Sequence, residues 1–268
     1  MGNTPYTNVF LSHEVEDQFE SHLNLQEFCT VDRDLVGTAG MTRRINVYTA
    51  TSGTEDLAVG EGNTKTIEVS HAPHDYKILV AQNRFEYYDE EAEEDPNVVL
   101  VGCKHAGTDM FNHCNAGIFG EFQKATLVHP AATPDFNAFV DSVALMDIEN
   151  VEEVKLFGFV SVADRAKVQK ALKDDLKYIT DFVRTGYIGT VGGVNLYTKK
   201  NANAGEIIIG TKEAVTLFVK KGTEIERVVK HNRSEDAANK RKNTIFTRKY
   251  YIPALTNATR AVKLQLNA

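Results

Sequence analysis

Between residues 41 and 85, apolar and polar positions alternate in a way that predicts a long, half-buried β-ribbon. Ile45–Ala50 and Thr66–Ser70 each show the two-residue period of a strand. The polar, glycine-bearing loop between them is too long for a tight turn, so we expect its tip to be mobile. The run Tyr76–Ala81 continues in the extended sense and ends near Phe85. Because a two-stranded ribbon is only marginally stable alone in water, this hairpin is expected to need a partner.

A period of three to four residues follows and predicts a helix of about thirty residues, from Pro96 to Lys124. Asp95 has the residue type of an N-cap, and proline suits the first helical position. The apolar stripe consists of Val99, Cys103, Ala106, Met110, Cys114, Ile118 and Phe122. Four glycines each lower helicity by about 1 kcal/mol relative to alanine, so tertiary packing must hold the helix or the glycines allow close approach and bending. They are Gly102, Gly107, Gly117 and Gly120.

The remainder of the chain mixes predicted helices and strands irregularly. Thr133–Pro134 predicts the start of a helix that carries Phe136, Phe139, Val140 and Val143, and Ala163–Leu172 is also helical. The predicted strands are Val154–Val162, Val194–Thr198, Glu206–Thr211, Val215–Val219, Ile245–Leu255 and Ala261–Leu266. This irregular order favours an α+β fold over a doubly wound α/β fold.

Composition and charge narrow the function classes. The chain has 268 residues, 42% of them hydrophobic and 25% charged, which is ordinary for a folded protein. Its formal charge of −7 argues against a nucleic-acid-binding domain, although it suits a surface that faces nucleic acid without adhering to it. Three widely spaced cysteines fit reduced thiols in a cytosol. The N-terminus does not have the pattern of a signal peptide, and no apolar run reaches the length of a membrane span, so no membrane partner is expected.

Catalytic chemistry is not visible in the sequence. Cys103, His105, His113 and Cys114 are metal-ligand types at a spacing that suits zinc poorly. The glycines of residues 186–193 lie between a helix and a strand, the reverse of a phosphate-binding loop, and therefore indicate a connector. We expect no catalytic, cofactor-binding or metal-binding residues, and no enzyme activity.

The acidic run Asp89–Asp95, here named the acidic collar, has two interpretations. It can interact favourably with a helix dipole and aid solubility. Alternatively, it can dock against the basic segment Lys230–Lys249 of another subunit, since opposite charge blocks set register at interfaces. The candidate interface residues are Asp89, Glu90, Glu91, Glu93 and Glu94 with Arg241, Lys242, Arg248 and Lys249.

The order of these parts resembles the major capsid proteins of tailed bacteriophages, with the Hong Kong phage type of capsid fold that encapsulin shells share. The ribbon and its continuation (Ile45–Phe85) and the long helix (Pro96–Lys124) carry the resemblance, together with the C-terminal third. In that third, Gly192–Tyr197, Glu206–Phe218 and Arg248–Thr256 look like a typical capsid sequence.

The resemblance implies a division into four parts. Residues 1–40 would be an N-terminal arm, and 41–85 an extended loop that lies over a neighbour. Residues 86–130 and 221–258 would form a peripheral domain whose spine is the long helix. Residues 131–220 and 259–268 would form an axial domain.

The implied function is structural. Copies would assemble through pentamers and hexamers into an icosahedral shell that encloses double-stranded DNA, in a virion assembled in the host cytoplasm. The expected partners are the chain itself, a separate scaffolding protein, a portal, and DNA that is faced without specific binding. Lys65 lies in the ribbon, but nothing shows it activated for the covalent cross-linking seen in some relatives. Two alternatives stay open: an encapsulin-like shell that stores a cargo enzyme, and a small metal-dependent hydrolase.

Overall fold

A computed structural model of the chain describes residues 23–95, 97–173, 189–200, 202–228 and 234–266. Short 3-10 helices occupy Leu25–Phe28, Val151–Glu153 and Ala258–Arg260. The strands are β1 (Thr30–Asp32), β2 (Thr42–Ala50), β3 (Val69–Lys77), β4 (Leu79–Tyr88), β5 (Leu127–Ala131), β6 (Leu156–Val160), β7 (Thr190–Val191), β8 (Val194–Thr198), β9 (Glu206–Gly210), β10 (Val215–Val228), β11 (Lys242–Leu255) and β12 (Ala261–Leu266). The α-helices are α1 (Asp89–Glu94), α2 (Asn97–Phe122), α3 (Phe136–Ala144), α4 (Val162–Ala171) and α5 (Glu235–Asn239).

The strands form three sheets. One sheet has the order β1-β10-β11-β4, with antiparallel pairing along the long strands and a parallel β1 at the edge. A second, mixed sheet has the order β5-β12-β9-β6-β8-β7. The third is the ribbon, in which β2 pairs with β3 and, among the described residues, with no other strand. Sheets and helices are not arranged as repeated parallel units, so the predicted α+β class is confirmed.

The predicted ribbon is present, but its second strand and its burial differ from the prediction. Strand β3 begins at Val69 rather than Thr66, and Ile45 lies opposite His74. Val47, Tyr48 and Val69 are exposed, so the prediction of a half-buried ribbon is wrong for the single chain. Alternation of polar and apolar residues indicates a strand whose two faces differ in polarity. It does not indicate whether the layer that covers the apolar face belongs to the same chain or to another.

The base of the ribbon is anchored in the body. Ile78, which separates β3 from β4, is buried together with Phe218. Tyr76 stacks on Phe218 with ring centroids 4.9 Å apart, and Met41 and Ile45 pack against the same cluster. The ribbon is therefore fixed where it leaves the four-stranded sheet.

Helix α2 confirms the predicted long helix. The Asp95 carboxylate accepts a hydrogen bond from the backbone N–H of Asn97 at 3.0 Å, and Pro96 lies outside the described residues. The predicted stripe is buried except for Ala106, which is half-buried. The glycines allow close approach at Gly102, where an added Cβ would lie 2.4 Å from the Phe85 ring of β4.

Asn115 of α2 holds a segment of the predicted arm, residues 1–40. Asn115 donates from Nδ2 to the carbonyl of Leu23 at 3.0 Å, and its Oδ1 accepts from the N–H of Leu25 at 3.2 Å. Leu25 and Cys29 are fully buried beside this contact. Residues 23–29 therefore pack on their own body, while residues 1–22 lie outside the described residues.

The six-stranded sheet encloses the second large core. Ile207, Ile209, Val262 and Leu264 are fully buried there. Helix α3 covers the core with Phe139 and Val143. The prediction that Thr133 caps this helix is wrong: the N-cap is Asp135, whose carboxylate accepts from the N–H of Ala138 at 2.9 Å. Pro134 therefore lies before the N-cap rather than at the first helical position. The cap falls on Asp135 because an Asp side chain is a stronger N-cap than a Thr side chain.

Helix α4 begins at a buried carboxylate. Asp164 is fully buried; the Ser161 hydroxyl and the N–H of Gly205 both donate to its Oδ2 at 2.7 Å. Lys167 lies 3.0 Å from its other oxygen. Burial alone would raise the pKa of Asp164, but the hydrogen bonds from Ser161, Gly205 and Lys167 outweigh it and hold the pKa below the usual value. The contact ties α4 to the loop before β9.

Candidate interaction surfaces

The acidic collar forms a helix rather than an irregular solvated run. Asp89, Glu90 and Glu91 occupy the first turn of α1. Glu91 reaches back and accepts from the N–H of Tyr88 at 3.0 Å, which satisfies a backbone donor at the start of the helix. Negative charge in the first turn is favourable for the helix dipole. The local, structural interpretation of the collar therefore has direct support.

The collar also meets the basic segment within the same chain. Arg241 lies 3.1 Å from Glu90, and Asn243 donates to Asp89 at 2.6 Å. Lys242 pairs with Glu86 at 2.7 Å. Both side chains of the Arg241–Glu90 pair are more than half exposed, so this pair contributes at most about 1 kcal/mol to stability.

Two of the predicted basic interface residues have other roles in the subunit. Arg248 lies 2.6 Å from Glu226 and donates from Nε to Gln82 at 2.6 Å, which joins three neighbouring strands. Lys249 is only 7% exposed, so its assignment to the basic surface is wrong. The alternation of β11 turns Lys249 toward the core, where its Nζ lies 3.9 Å from the Cys114 sulfur. Lys230 and Arg233 lie outside the described residues.

Part of the collar remains exposed to a partner. Within the described part of the chain, no ion pair is found for Glu93 or Glu94, and both are exposed. Arg241 is also more than half exposed despite its contact with Glu90. The surface that remains from the prediction is thus the outer face of α1 with Arg241 beside it.

A second surface was not predicted from the sequence. The loop of residues 51–68, here named the ribbon loop, carries Leu57, Val59 and Ile67, which are 49%, 108% and 58% exposed. Every hydrogen bond and ion pair described for residues 51–68 joins two residues of the loop itself. The sequence does indicate this surface, because three large apolar side chains in a polar loop have no core to enter.

A groove on the body of the subunit also exposes apolar side chains. It lies between β4 and α2, has a volume of about 500 Å³, and is lined by apolar atoms of Phe85, Val98, Val101 and Ala106. Arg84 and Asp109 lie at its margin. An exposed apolar groove of this kind is typical of a binding surface.

The residues considered for catalysis do not converge. Cys103 and Cys114 are buried, whereas His105 and His113 are exposed, so α2 directs the two pairs to opposite sides. Burial raises the pKa of the Cys114 thiol, and the nearby Lys249 offsets this only in part. Among the residues that the structure describes, no three His, Cys, Asp or Glu side chains are grouped to hold a metal ion.

The glycines before β8 form a turn. Gly192 and Gly193 connect β7 to β8, and both have positive φ angles, of 55° and 81°. A two-residue hairpin turn of this kind favours glycine at both positions. The predicted connector is confirmed for this pair, while Gly186 lies outside the described residues.

No helix in the described ranges combines the length and apolar character that a membrane span requires. No protein-family model matches the chain, and no curated protein matches it.

Solved structures do match along nearly the whole chain. That of Gordonia phage Cozz has 9% identity and a TM-score of 0.68, covering 91% of this chain and 87% of that one. The capsid structure of cyanophage P-SCSP1u has 13% identity and a TM-score of 0.65, covering 90% and 86%. The virus-like particle from Pyrococcus furiosus has 12% identity and a TM-score of 0.63, covering 95% and 97%. At these identities the match establishes the fold, and the chain has the Hong Kong phage type capsid fold.

Proposed function

We propose that this chain is a major capsid protein, whose copies assemble through pentamers and hexamers into an icosahedral shell around packaged double-stranded DNA. The observation that carries the proposal is the match to phage capsid chains over about nine tenths of both partners. A match of that extent involves most of the chain rather than one common substructure.

The exposed ribbon supports assembly with further copies. Strands β2 and β3 are nine residues long and mostly exposed on both faces, and among the described residues β2 pairs with no strand other than β3. Exposed apolar surface of this kind indicates an interaction site. A ribbon that lies over a neighbouring copy covers this surface, and many such overlaps add avidity around a closed ring.

We propose a division of the subunit into four parts. We assign the arm to residues 1–40 and the extended loop to 41–85. We assign the peripheral domain to 86–130 and 221–258, and the axial domain to 131–220 and 259–268. The presence of two separate large sheets supports this division in part. The four-stranded sheet also takes β1 from the assigned arm, most of β4 from the assigned loop and the start of β10 from the assigned axial range, and β5 of the peripheral range pairs with β12 of the six-stranded sheet.

The remaining partners follow from the proposed shell. A separate scaffolding protein and a portal would act during assembly in the host cytoplasm, and the shell would become part of the virion. The formal charge of −7 suits an inner wall that DNA does not adhere to.

An encapsulin-like shell is the second candidate. The match to the Pyrococcus furiosus virus-like particle, which covers 97% of that chain, favours it. Purified shells distinguish the two functions by their content: double-stranded DNA supports the capsid, whereas a co-purified cargo protein supports the encapsulin-like shell.

The acidic collar provides a test of assembly through a defined surface. Replacing Glu90, Glu91, Glu93 and Glu94 with lysine should impair assembly and leave the subunit folded, because exposed charges contribute little to stability. The unassembled variant should keep the native circular dichroism spectrum, with a loss of about 1–2 kcal/mol from the broken Arg241 contact and the lost hydrogen bond between Glu91 and the N–H of Tyr88.

The control replaces three residues of a second exposed acidic run, Glu149, Glu152 and Glu153, with lysine, one charge reversal fewer than in the collar variant. Assembly is measured by light scattering and sedimentation. Normal assembly of the collar variant would contradict a role for this surface between subunits. Equal impairment in the control would assign the effect to net charge instead.

A further inference from the structure

The described contacts that join the ribbon to the body of the subunit cluster at the base of the ribbon. Over residues 41–46, the half-buried residues Met41, Arg43 and Ile45 alternate with exposed ones, so one face is turned toward the body. Tyr76, which lies opposite Arg43 in the ribbon, stacks on Phe218 of β10. Apolar packing is non-directional, so it holds the base of the ribbon without fixing the direction of its far end.

Arg43 adds a directional contact to this base. Its Nε donates to Asp32 at 3.2 Å, and its Nη2 donates to Asp34 at 2.5 Å. Asp32 is the last residue of β1, which pairs with β10, so this carboxylate is held by the body. Because the donors of a guanidinium group lie in a fixed planar fork, contacts with two carboxylates define its orientation as well as its position. The two contacts therefore restrict the direction of β2 relative to the four-stranded sheet.

The two carboxylates are arranged to receive Arg43. The Oδ1 atom of Asp32 accepts from the N–H of Asp34 at 2.8 Å, and the Oδ2 atoms of both residues accept from Arg43. The side chains of Arg43 and Asp32 are 33% and 18% exposed, so solvent screens this pair only in part. Two neighbouring carboxylates repel each other when no cation lies between them. Loss of Arg43 therefore removes an attraction and leaves this repulsion uncompensated.

The connection from β1 to β2 is able to change shape once Arg43 is released. Residues 33–41 are mostly exposed, and Gly37 and Gly40 have φ angles of 76° and 97°. Glycine adopts positive and negative φ angles with similar ease, and an added Cβ at either position would meet no atom within 4 Å. Leu35 packs against the apolar base, and Lys220 of β10 donates to the carbonyl of Gly40. These two contacts hold the connection to the body, whereas Arg43 holds the ribbon to the connection.

We propose that Arg43, Asp32 and Asp34 form a salt-sensitive latch, which sets the direction in which the ribbon leaves the body. Arg43 is the positioning residue of this latch. With the latch closed, the ribbon takes one direction. With the latch released, the apolar base still holds the ribbon, and its far end takes a range of directions. The inference concerns the single subunit and does not depend on whether copies assemble.

The neighbouring residue of β2 offers a matched control. Arg44 donates to both carboxylate oxygens of Asp75, at 2.7 and 2.8 Å, and both residues belong to the ribbon. Arg43→Met and Arg44→Met each remove one guanidinium group and two of its contacts with carboxylate oxygens. Only the first of these variants breaks a contact between the ribbon and the connection to the body.

The direction of the ribbon is measured as a distance between two spin labels by pulsed electron paramagnetic resonance. The labels are placed on Val69→Cys, at the far end of β3, and on Val128→Cys of β5, since both valines are exposed. The three native cysteines are buried and should not react. The unassembled subunit is used, and circular dichroism confirms that each variant is folded.

Arg43→Met should raise the fraction of molecules outside the native distance peak by about fivefold, and Arg44→Met should change it by less than about twofold. An unchanged distribution in folded Arg43→Met would overturn the latch. Equal broadening in both variants would also overturn it, because the effect would then belong to the ribbon itself.

Salt and the carboxylates provide a second test. Raising the NaCl concentration from about 50 mM to about 1 M should broaden the distribution of the native chain and change that of Arg43→Met little. A native distribution that does not respond to salt would overturn the salt-sensitive latch. Asp32→Asn/Asp34→Asn should broaden the distribution less than Arg43→Met, because this variant leaves no repulsion between the two side chains. Adding Arg43→Met to it should change the distribution by less than about twofold. A larger change would assign Arg43 to a different contact and overturn the proposal.

The latch and the shell fail separately. If Arg43→Met leaves the ribbon direction unchanged while the native chain forms shells, the latch is wrong and the proposed function stands. If the native chain never assembles but its ribbon is released by Arg43→Met and by salt, the proposed function is wrong and the latch stands.

Discussion

Alanine substitutions at two glycines of α2 should change stability in opposite directions. Helix α2 carries Gly102 where it crosses β4 and Gly120 near its end. In a helix interior, alanine is favoured over glycine by about 1 kcal/mol at either position. The surroundings differ: an added Cβ meets the Phe85 ring at 2.4 Å at Gly102 and meets nothing within 4 Å at Gly120.

The magnitude follows from these two terms. A methyl group forced into a packed site costs about 1–3 kcal/mol, which exceeds the helical gain at Gly102. Phe85 cannot move away freely, since its ring stacks on Tyr87 at a centroid distance of 5.7 Å. We expect Gly102→Ala to destabilise the subunit by about 1 kcal/mol and Gly120→Ala to stabilise it by about 1 kcal/mol.

Urea denaturation of the unassembled subunit, followed by circular dichroism, measures both changes as shifts of the midpoint at constant slope. Combining Gly102→Ala with Phe85→Leu should recover part of the loss, because the smaller side chain leaves room for the methyl group. Equal stabilisation by both alanine substitutions would refute the close packing of α2 on β4.

Two further predictions concern polar groups inside the subunit. Asn115→Ala should lower the free energy of unfolding by about 2 kcal/mol in urea denaturation, because the carbonyl of Leu23 and the N–H of Leu25 lose their partner. The control is Asn112→Ala, at an exposed position of the same helix, which should change the free energy of unfolding by less than about 0.5 kcal/mol. Since the folded pKa of Asp164 lies below its unfolded value, its contribution to stability is complete above about pH 4 and is lost as the pH falls through the folded pKa. Asp164→Asn should therefore flatten the decline of stability below about pH 4, and an unchanged pH profile would contradict this.

The elements with strong local patterns were predictable from the sequence. Strands β8 and β12 have the predicted bounds, and α2 agrees within two residues at each end. Their signals are local, since apolar periodicity and branched side chains act within a few residues. The order of strands in the sheets depends on long-range pairing, which local patterns do not encode, so it was not predicted.

The misses have identifiable physical causes. Strand β10 continues to Val228 through a charged stretch, because pairing with β11 stabilises it where its own residues favour no strand. Lys249 was placed on the surface by its charge, while the alternation of β11 buries it. The contact between Arg241 and Glu90 joins positions far apart in the chain, so charge alone could not show that it forms within one subunit. The length and polar composition of the ribbon loop predict a solvated connection, and they do not indicate that apolar side chains are exposed near its tip.

Electron microscopy of the purified chain at high concentration, with and without a scaffolding protein, shows directly whether its copies assemble. We expect closed shells or rings of five and six subunits, with ribbons that overlap neighbouring copies. A chain that stays strictly monomeric under both conditions would contradict it.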